Sequence, residues 1–469
     1  MAPYQTPGVY IEEIPSFPPS VAQVATAIPA FIGYTQKGPS EPTKIKSMVD
    51  YRSIFGGPLN ELPTFNIDGD GNITTSSEIQ STPVYKMYYM LQMYFANGGG
   101  PCYIIAVDQY NNDSPSVDKS KLGNGLTKLR KEDEPTLIVY PDARSIDDAT
   151  DFHNRYIDAM KQCADLGDRF TICDVQPASE GSSDPSGEAA SAFRSHIGIN
   201  NLKYGAAYYP DLNTSLTHEY KEDEIDINND GKDMKLRYSE AAIEADSDKK
   251  NHSLFHANNG ADRDKYYAIK DMIDRKKLVL PPSAAIAGVY AMVDGTRGVW
   301  KAPANVSLNR VVAPSVLLNQ TDQDVLNVDE TGKSINAIRK FMGKGILVWG
   351  ARTLDGNSNE WRYISVRRFF NMVEESTKKA TERFIFEPND ANTWVKVKSM
   401  IENFLTNQWR AGALMGAKAE QAFYVKVGLG ETMTQQHVLD GKMIVEIGMA
   451  VVRPAEFIIL RFSHKMIES

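Results

Sequence analysis

Three cysteines in 469 residues are too few for a disulfide framework, and Cys102, Cys163 and Cys173 have no metal-ligand spacing. They read as reduced core residues of a protein folded in the cytoplasm. No run reaches the ~18 consecutive apolar residues of a membrane span, so direct membrane insertion is not expected. The N-terminus also lacks the basic start and apolar core of a secretory signal. Lysine and arginine number 51 against 60 aspartates and glutamates, a formal charge of −9. Nothing here forms the clustered basic surface that binding nucleic acid requires, so no nucleic-acid partner is expected. What is present is a globular composition, 42% hydrophobic and 24% charged. The length exceeds one compact core and implies two to four domains.

The two ends carry the most informative runs. Residues 441–462, GKMIVEIGMAVVRPAEFIILRF, contain two strand-like segments, Met443–Val452 and Glu456–Phe462, parted by Arg453-Pro454. In the second, Phe457 and Ile459 face one way while Ile458, Leu460 and Phe462 face the other, so both faces need cover. Such a strand either closes its own sheet or is donated to a neighbouring subunit. Near the start, Val9, Tyr10, Ile11 and Glu12 make a strand candidate between Pro7-Gly8 and Pro15, Pro18 and Pro19. The prolines exclude a helix, and a strand this short is stable only when added to an existing sheet edge.

Between the ends, strand and helix patterns alternate. Thr136–Tyr140, Arg169–Val175 and Tyr204–Tyr209 read as strands, with helices over Asp147–Leu166 and Glu188–His196. That alternation predicts a parallel α/β sheet. Asp108–Lys121 is a polar boundary, and Thr214–Asp264 is a polar excursion expected on the outside. From Ser334 onward the pattern is α+β. Ser334 is expected to cap a helix over Ile335–Met342, followed by a strand at Ile346–Trp349. Further helices are expected over Tyr363–Phe384 and from Asn389 or Asp390, with a strand at Ala422–Val427.

Taken together, TPGVYIEE at 6–13, TRGVWKAPAN at 296–305 and RPAEFIILRF at 453–462 resemble the contractile tail sheath proteins of phage tails and phage-tail-like injection systems. The resemblance implies a multidomain α/β and α+β chain. Residues 1–35 would be an N-terminal arm and first strand, 36–110 a small α/β segment, and 111–305 a subtilisin-like outer domain without a catalytic triad. Residues 306–469 would be the sheath core. Val9, Tyr10, Ile11 and Glu12, with Phe457, Ile458, Ile459, Leu460 and Phe462, would be strands exchanged between subunits. Arg297, Trp300 and Pro303 would form a structural junction. The implied partners are further copies in helically stacked six-fold rings, an inner tube protein, and baseplate and terminal cap proteins. Contraction would drive the tube through a target membrane. The particle would assemble in the bacterial cytoplasm and act as part of a virion tail or an injection device. No cofactor, metal or enzymatic activity is implied.

Three motifs support rival readings. Asn66–Ile73 (NIDGDGNI) matches the first half of an EF-hand loop, but Ser77 stands at the twelfth position, and Asp226–Gly231 has Arg237 there. Both read as polar turns, against a calcium-dependent surface module. Gly345–Gly350 has the GxxxxG spacing of a phosphate loop, but Ala351-Arg352 replaces the required Lys-Ser/Thr. His153, His196, His218, His252 and His256 fall in the middle segment, yet the local motifs of a subtilisin-type hydrolase are missing. Packing or solvated histidines are expected.

Overall fold

The runs expected as strands of a parallel sheet form Leu137–Val139, Phe170–Asp174 and Gly205–Tyr209, every residue of which is buried. The computed structural model describes residues 21–112, 114–457 and 459. These divide into two units: Ala25–Met372 with the segment from Arg453, and Val373–Val452 with the residues up to Val24.

The first unit is organised on a nine-stranded sheet. Its order is Val306–Ser307, Gly345–Val348, Ile335–Phe341, Gly205–Tyr209, Phe170–Asp174, Leu137–Val139, Pro29–Thr35, Cys102–Gln109, Thr43–Ile45. The six strands from Ile335–Phe341 to Cys102–Gln109 run parallel. Because side chains alternate along a strand, neighbouring residues enter opposite cores. Phe31, Leu137, Val139 and Ile172 join the helices Met87–Ala96 and Ser283–Arg297. Ala30, Ile32, Ile138 and Cys173 join Lys119–Leu129, Ala149–Leu166 and Pro185–His196. A parallel sheet covered on both faces explains the continuous apolar runs. Segments 36–110, 111–305 and 306–469 all contribute strands to this one sheet.

Two expectations from local pattern are corrected. Ile335–Phe341 is a strand, parallel to Gly205–Tyr209, and Ser334 does not cap a helix. Ile335 and Ala337 enter one core and Ile338 the other, a period-two pattern that the sheet edge selects over helical spacing. The polar stretch Asp108–Lys121 is not a boundary: it leads from Cys102–Gln109 into the helix Lys119–Leu129. Gly125 lies within that helix because a Cβ there would sit 2.5 Å from Ile32 and 2.7 Å from Val107 on the sheet.

The polar excursion is folded around its own core. Phe65, Ile67 and Ile79 pack with Ile225, Ile227, Met234, Leu254, Ile269 and Ile273. Strands Phe65–Ile67 and Asp226–Asn229 pair in parallel within a four-stranded sheet. Thr217 and Lys277 are register partners, so this excursion leaves and re-enters the main body at adjacent positions.

In the second unit, the Asp390 carboxylate accepts the Thr393 N–H at 2.9 Å and starts the helix Ala391–Arg410. Val397, Met400, Ile401, Phe404 and Leu405 form its buried stripe. The helix Ile364–Thr381 enters this unit from the first, and a last turn over Glu382–Phe384 ends it.

Candidate functional site

The second unit contains a two-stranded antiparallel sheet, Phe423–Lys426 with Glu446–Met449, in register Tyr424 to Gly448 and Val425 to Ile447. The Tyr424 ring occupies the space over Gly448, where a Cβ would lie 2.2 Å from it, so a side chain at 448 would displace the ring. Among the described residues, neither strand takes a further strand on its outer edge; beyond Met449, Val451 bridges Leu414. An isolated pair of strands is marginal, and unpaired edges are templates for added strands. Beside it lies a groove of about 790 Å³ whose lining includes Phe384, Phe386, Val397, Ile401, Val445 and Ile447. Ile385 is 60% exposed and Phe386 fully exposed; Phe386 also has a positive φ of 71°, uncommon for a bulky side chain.

The chain leaves this unit near its two ends. Val24 N–H donates to Ser376 Oγ at 3.1 Å, and Gln408 donates to Gln23 at 3.1 Å. In the first unit, Thr26 Oγ1 donates to Asp294 at 2.6 Å, and Arg368 forms a buried pair with the same carboxylate. Later in the chain, Glu456 is held by the Arg352 guanidinium at 2.7 and 2.9 Å, by Asn327 at 3.2 Å and by the Tyr363 hydroxyl at 3.2 Å. Burial pushes the Glu456 carboxyl up, but Arg352 and the hydrogen bonds outweigh it and hold it below its usual value. The next described residues, Phe457 and Ile459, are 71% and 77% exposed.

Of the residues singled out from sequence, Val9, Tyr10, Ile11, Glu12, Ile458, Leu460 and Phe462 lie outside the described residues. Phe457 is described and stands outside any strand, and Met443–Val452 contributes only Glu446–Met449 as strand. Arg297 is exposed at the end of its helix and Pro303 is buried. Trp300 meets Phe369 edge to face at 6.4 Å. The Arg352–Glu456 pair was missed, since nothing in the local pattern couples positions about a hundred residues apart.

A model of the phage tail sheath C-terminal domain matches residues 357–465, which include the whole two-stranded sheet and the helices packed on it. The sheath of an extracellular contractile injection system, PVC, in its contracted state is 30% identical, with 99% of each chain covered and a TM-score of 0.64. The contracted helical sheath of the anti-feeding prophage is 32% identical, covering 98% of this chain and all of that one, with a TM-score of 0.63. The chain belongs to the contractile tail sheath family. A tail sheath protein of Vibrio phage KVP40 is 28% identical over 193 residues, 40% of this chain and 27% of that relative's length.

The other motifs of this sheath chain have structural explanations. Asp68 accepts the N–H groups of Asp70 and Asn72 at 3.0 and 2.8 Å, and Asn72 Nδ2 at 2.9 Å, closing the hairpin between Phe65–Ile67 and Ile73–Thr75. Glu78 instead pairs with Lys276 at 2.7 Å. Among the described residues, no group of three or more His, Cys, Asp or Glu could hold a metal. Because neither loop has Glu at its twelfth position, chelation is expected to leave melting temperature and assembly nearly unchanged; a large shift with EDTA, reversed by calcium, would revive the calcium reading. Gly345–Val348 is a strand of the main sheet, and no phosphate loop forms there.

Ser253 Oγ lies 2.8 Å from His256 Nδ1, and His256 Nε2 lies 3.2 Å from Glu240. The order imitates a hydrolytic relay, but Ser253 is fully buried and its Oγ also accepts the Tyr238 N–H at 3.3 Å. This chain of contacts ties a loop. His153 stacks on His196 at 5.2 Å, and burial lowers its pKa to about 4, keeping it neutral. Asp174 is buried against Ser283, which donates its N–H at 2.9 Å and its hydroxyl at 2.6 Å; burial pushes the carboxyl up to about 7. Ser283 is fully buried, and the exposed Ser195 hydroxyl, 3.0 Å from His196 Nδ1, donates to the Ala192 carbonyl of its own helix at 2.8 Å.

Proposed function

We propose that this chain is the repeating subunit of a contractile sheath, built as helically stacked six-fold rings around an inner tube and bounded by baseplate and terminal cap proteins. The observation that carries the reading is the near full-length likeness, at 30 and 32% identity, to two sheaths captured contracted. Head-to-tail contacts between identical subunits propagate as an open helix. The two-stranded sheet then receives strands from two neighbours: the Val9–Glu12 segment of one and the Phe457–Phe462 segment of another. The groove beside it takes apolar side chains of an added strand. Arg297, Trp300 and Pro303 serve as a structural junction, and the middle segment, a subtilisin-like fold without hydrolytic chemistry, lies outward. The subunits assemble extended in the bacterial cytoplasm and shorten on a baseplate signal, driving the tube through a target membrane. The particle is a phage tail or an injection device of the same plan.

Electron microscopy of the purified protein tests this. Helical tubes of uniform diameter are expected; discrete particles under all assembly conditions would overturn it.

A further inference from the structure

We propose that Glu456 is the positioning residue that anchors the donated C-terminal strand to its own subunit, so that load taken up by the strand passes into the main sheet. The proposal rests on the strand-donation reading given above. Its own basis is the convergence of three separate elements on one carboxylate. Arg352 grips Glu456 through two nitrogens, Asn327 donates from the end of the helix Gln320–Asn327, and Tyr363 donates from just before Ile364–Thr381. The Arg352 and Glu456 side chains are only 6% and 21% exposed, unlike a solvated surface ion pair.

Arg352 is itself tied to the main sheet. Its N–H donates to Asn336 Oδ1 at 2.8 Å, and its carbonyl accepts from Asn336 Nδ2 at 2.8 Å. Asn336 lies buried in the strand Ile335–Phe341. A continuous polar path therefore runs from Glu456 through Arg352 to the sheet. Directly after Glu456 the apolar residues Phe457 and Ile459 are exposed, so the anchor immediately precedes exposed apolar side chains. An anchor at that point takes up tension on the strand before it reaches the Arg453-Pro454 link.

The test compares full-length wild type with Glu456→Gln, which keeps the shape and removes the charge, and with Tyr363→Phe, which removes one hydrogen bond. A third chain lacking Phe457–Ser469 keeps the anchor and lacks the donated segment. Tubes are sheared under controlled flow and their lengths followed by electron microscopy, with melting temperatures taken on unassembled subunits. For Glu456→Gln the expected result is tube breakage faster by about tenfold, the factor implied by one lost charge-assisted hydrogen bond, with at most a small fall in subunit melting temperature, because the anchored segment can detach while the main sheet stays folded. Tyr363→Phe should break faster to a smaller degree, and it decides the matter if Glu456→Gln does not fold. Wild-type breakage rates in the folded variants would overturn the anchor while leaving strand donation intact. Normal tubes from the truncated chain would instead overturn strand donation, and the anchor with it.

Discussion

Removal of Phe457–Ser469 is expected to leave folded, soluble subunits that form no tubes. Among these residues, Phe457 and Ile459 expose 71% and 77% of their surface in the single chain. Neither side chain contributes to a core of its own subunit, so its loss should leave the melting temperature near that of the full chain. Burying such residues against a neighbour contributes about 1.5–3 kcal/mol for each large side chain fully covered. Pairing with an open edge of Phe423–Lys426 or Glu446–Met449 adds backbone hydrogen bonds at a net of about 1 kcal/mol each. Summed over a segment of this length, the lost contribution is enough to shift assembly by several orders of magnitude in concentration. Size-exclusion chromatography and electron microscopy at matched concentrations read the outcome. Normal tubes from the truncated chain would show that the segment serves only its own subunit.

Exchanged strands are also expected to stay paired while the sheath contracts. Each junction combines several backbone hydrogen bonds with apolar burial, whereas domain surfaces that slide past one another are more polar and individually weaker. Contraction is then a rigid-body movement of folded units, with the chain at Arg453-Pro454 as a link. Cysteines introduced singly into Val9–Glu12 and Phe457–Phe462 can be screened for crosslinks between subunits. The native thiols do not interfere: Cys102, Cys163 and Cys173 are free and buried, and burial raises their pKa values. A pair that crosslinks in extended sheath should also crosslink in contracted sheath, and the linked sheath should still contract. If the crosslink locks the extended form, the strands must part during contraction and the rigid-body account fails.

The sequence alone determined the features that depend on near neighbours. Buried strands at 137–139, 170–174 and 205–209 were legible because two-sided burial requires continuous apolar residues. The helix Ala391–Arg410 was legible from its capping Asp390 and its apolar stripe. The three separated signatures were enough to indicate the family. Tertiary structure decided what local pattern leaves degenerate. Ile335–Phe341 carries apolar residues compatible with a helix, and the parallel edge of Gly205–Tyr209 makes it a strand. The helix Lys119–Leu129 was hidden by Gly123 and Gly125, of which Gly125 is explained by contact with Ile32 and Val107. Two polar turns, at 66–73 and 226–231, read as unrelated until parallel pairing of their strands set them at the same end of one sheet. The Glu456 anchor lies furthest beyond sequence reading, because its partners Asn327, Arg352 and Tyr363 are 129, 104 and 93 residues away. Only the folded chain brings such distant groups within hydrogen-bonding distance, and a carboxylate acquires its role from the charges and donors that surround it.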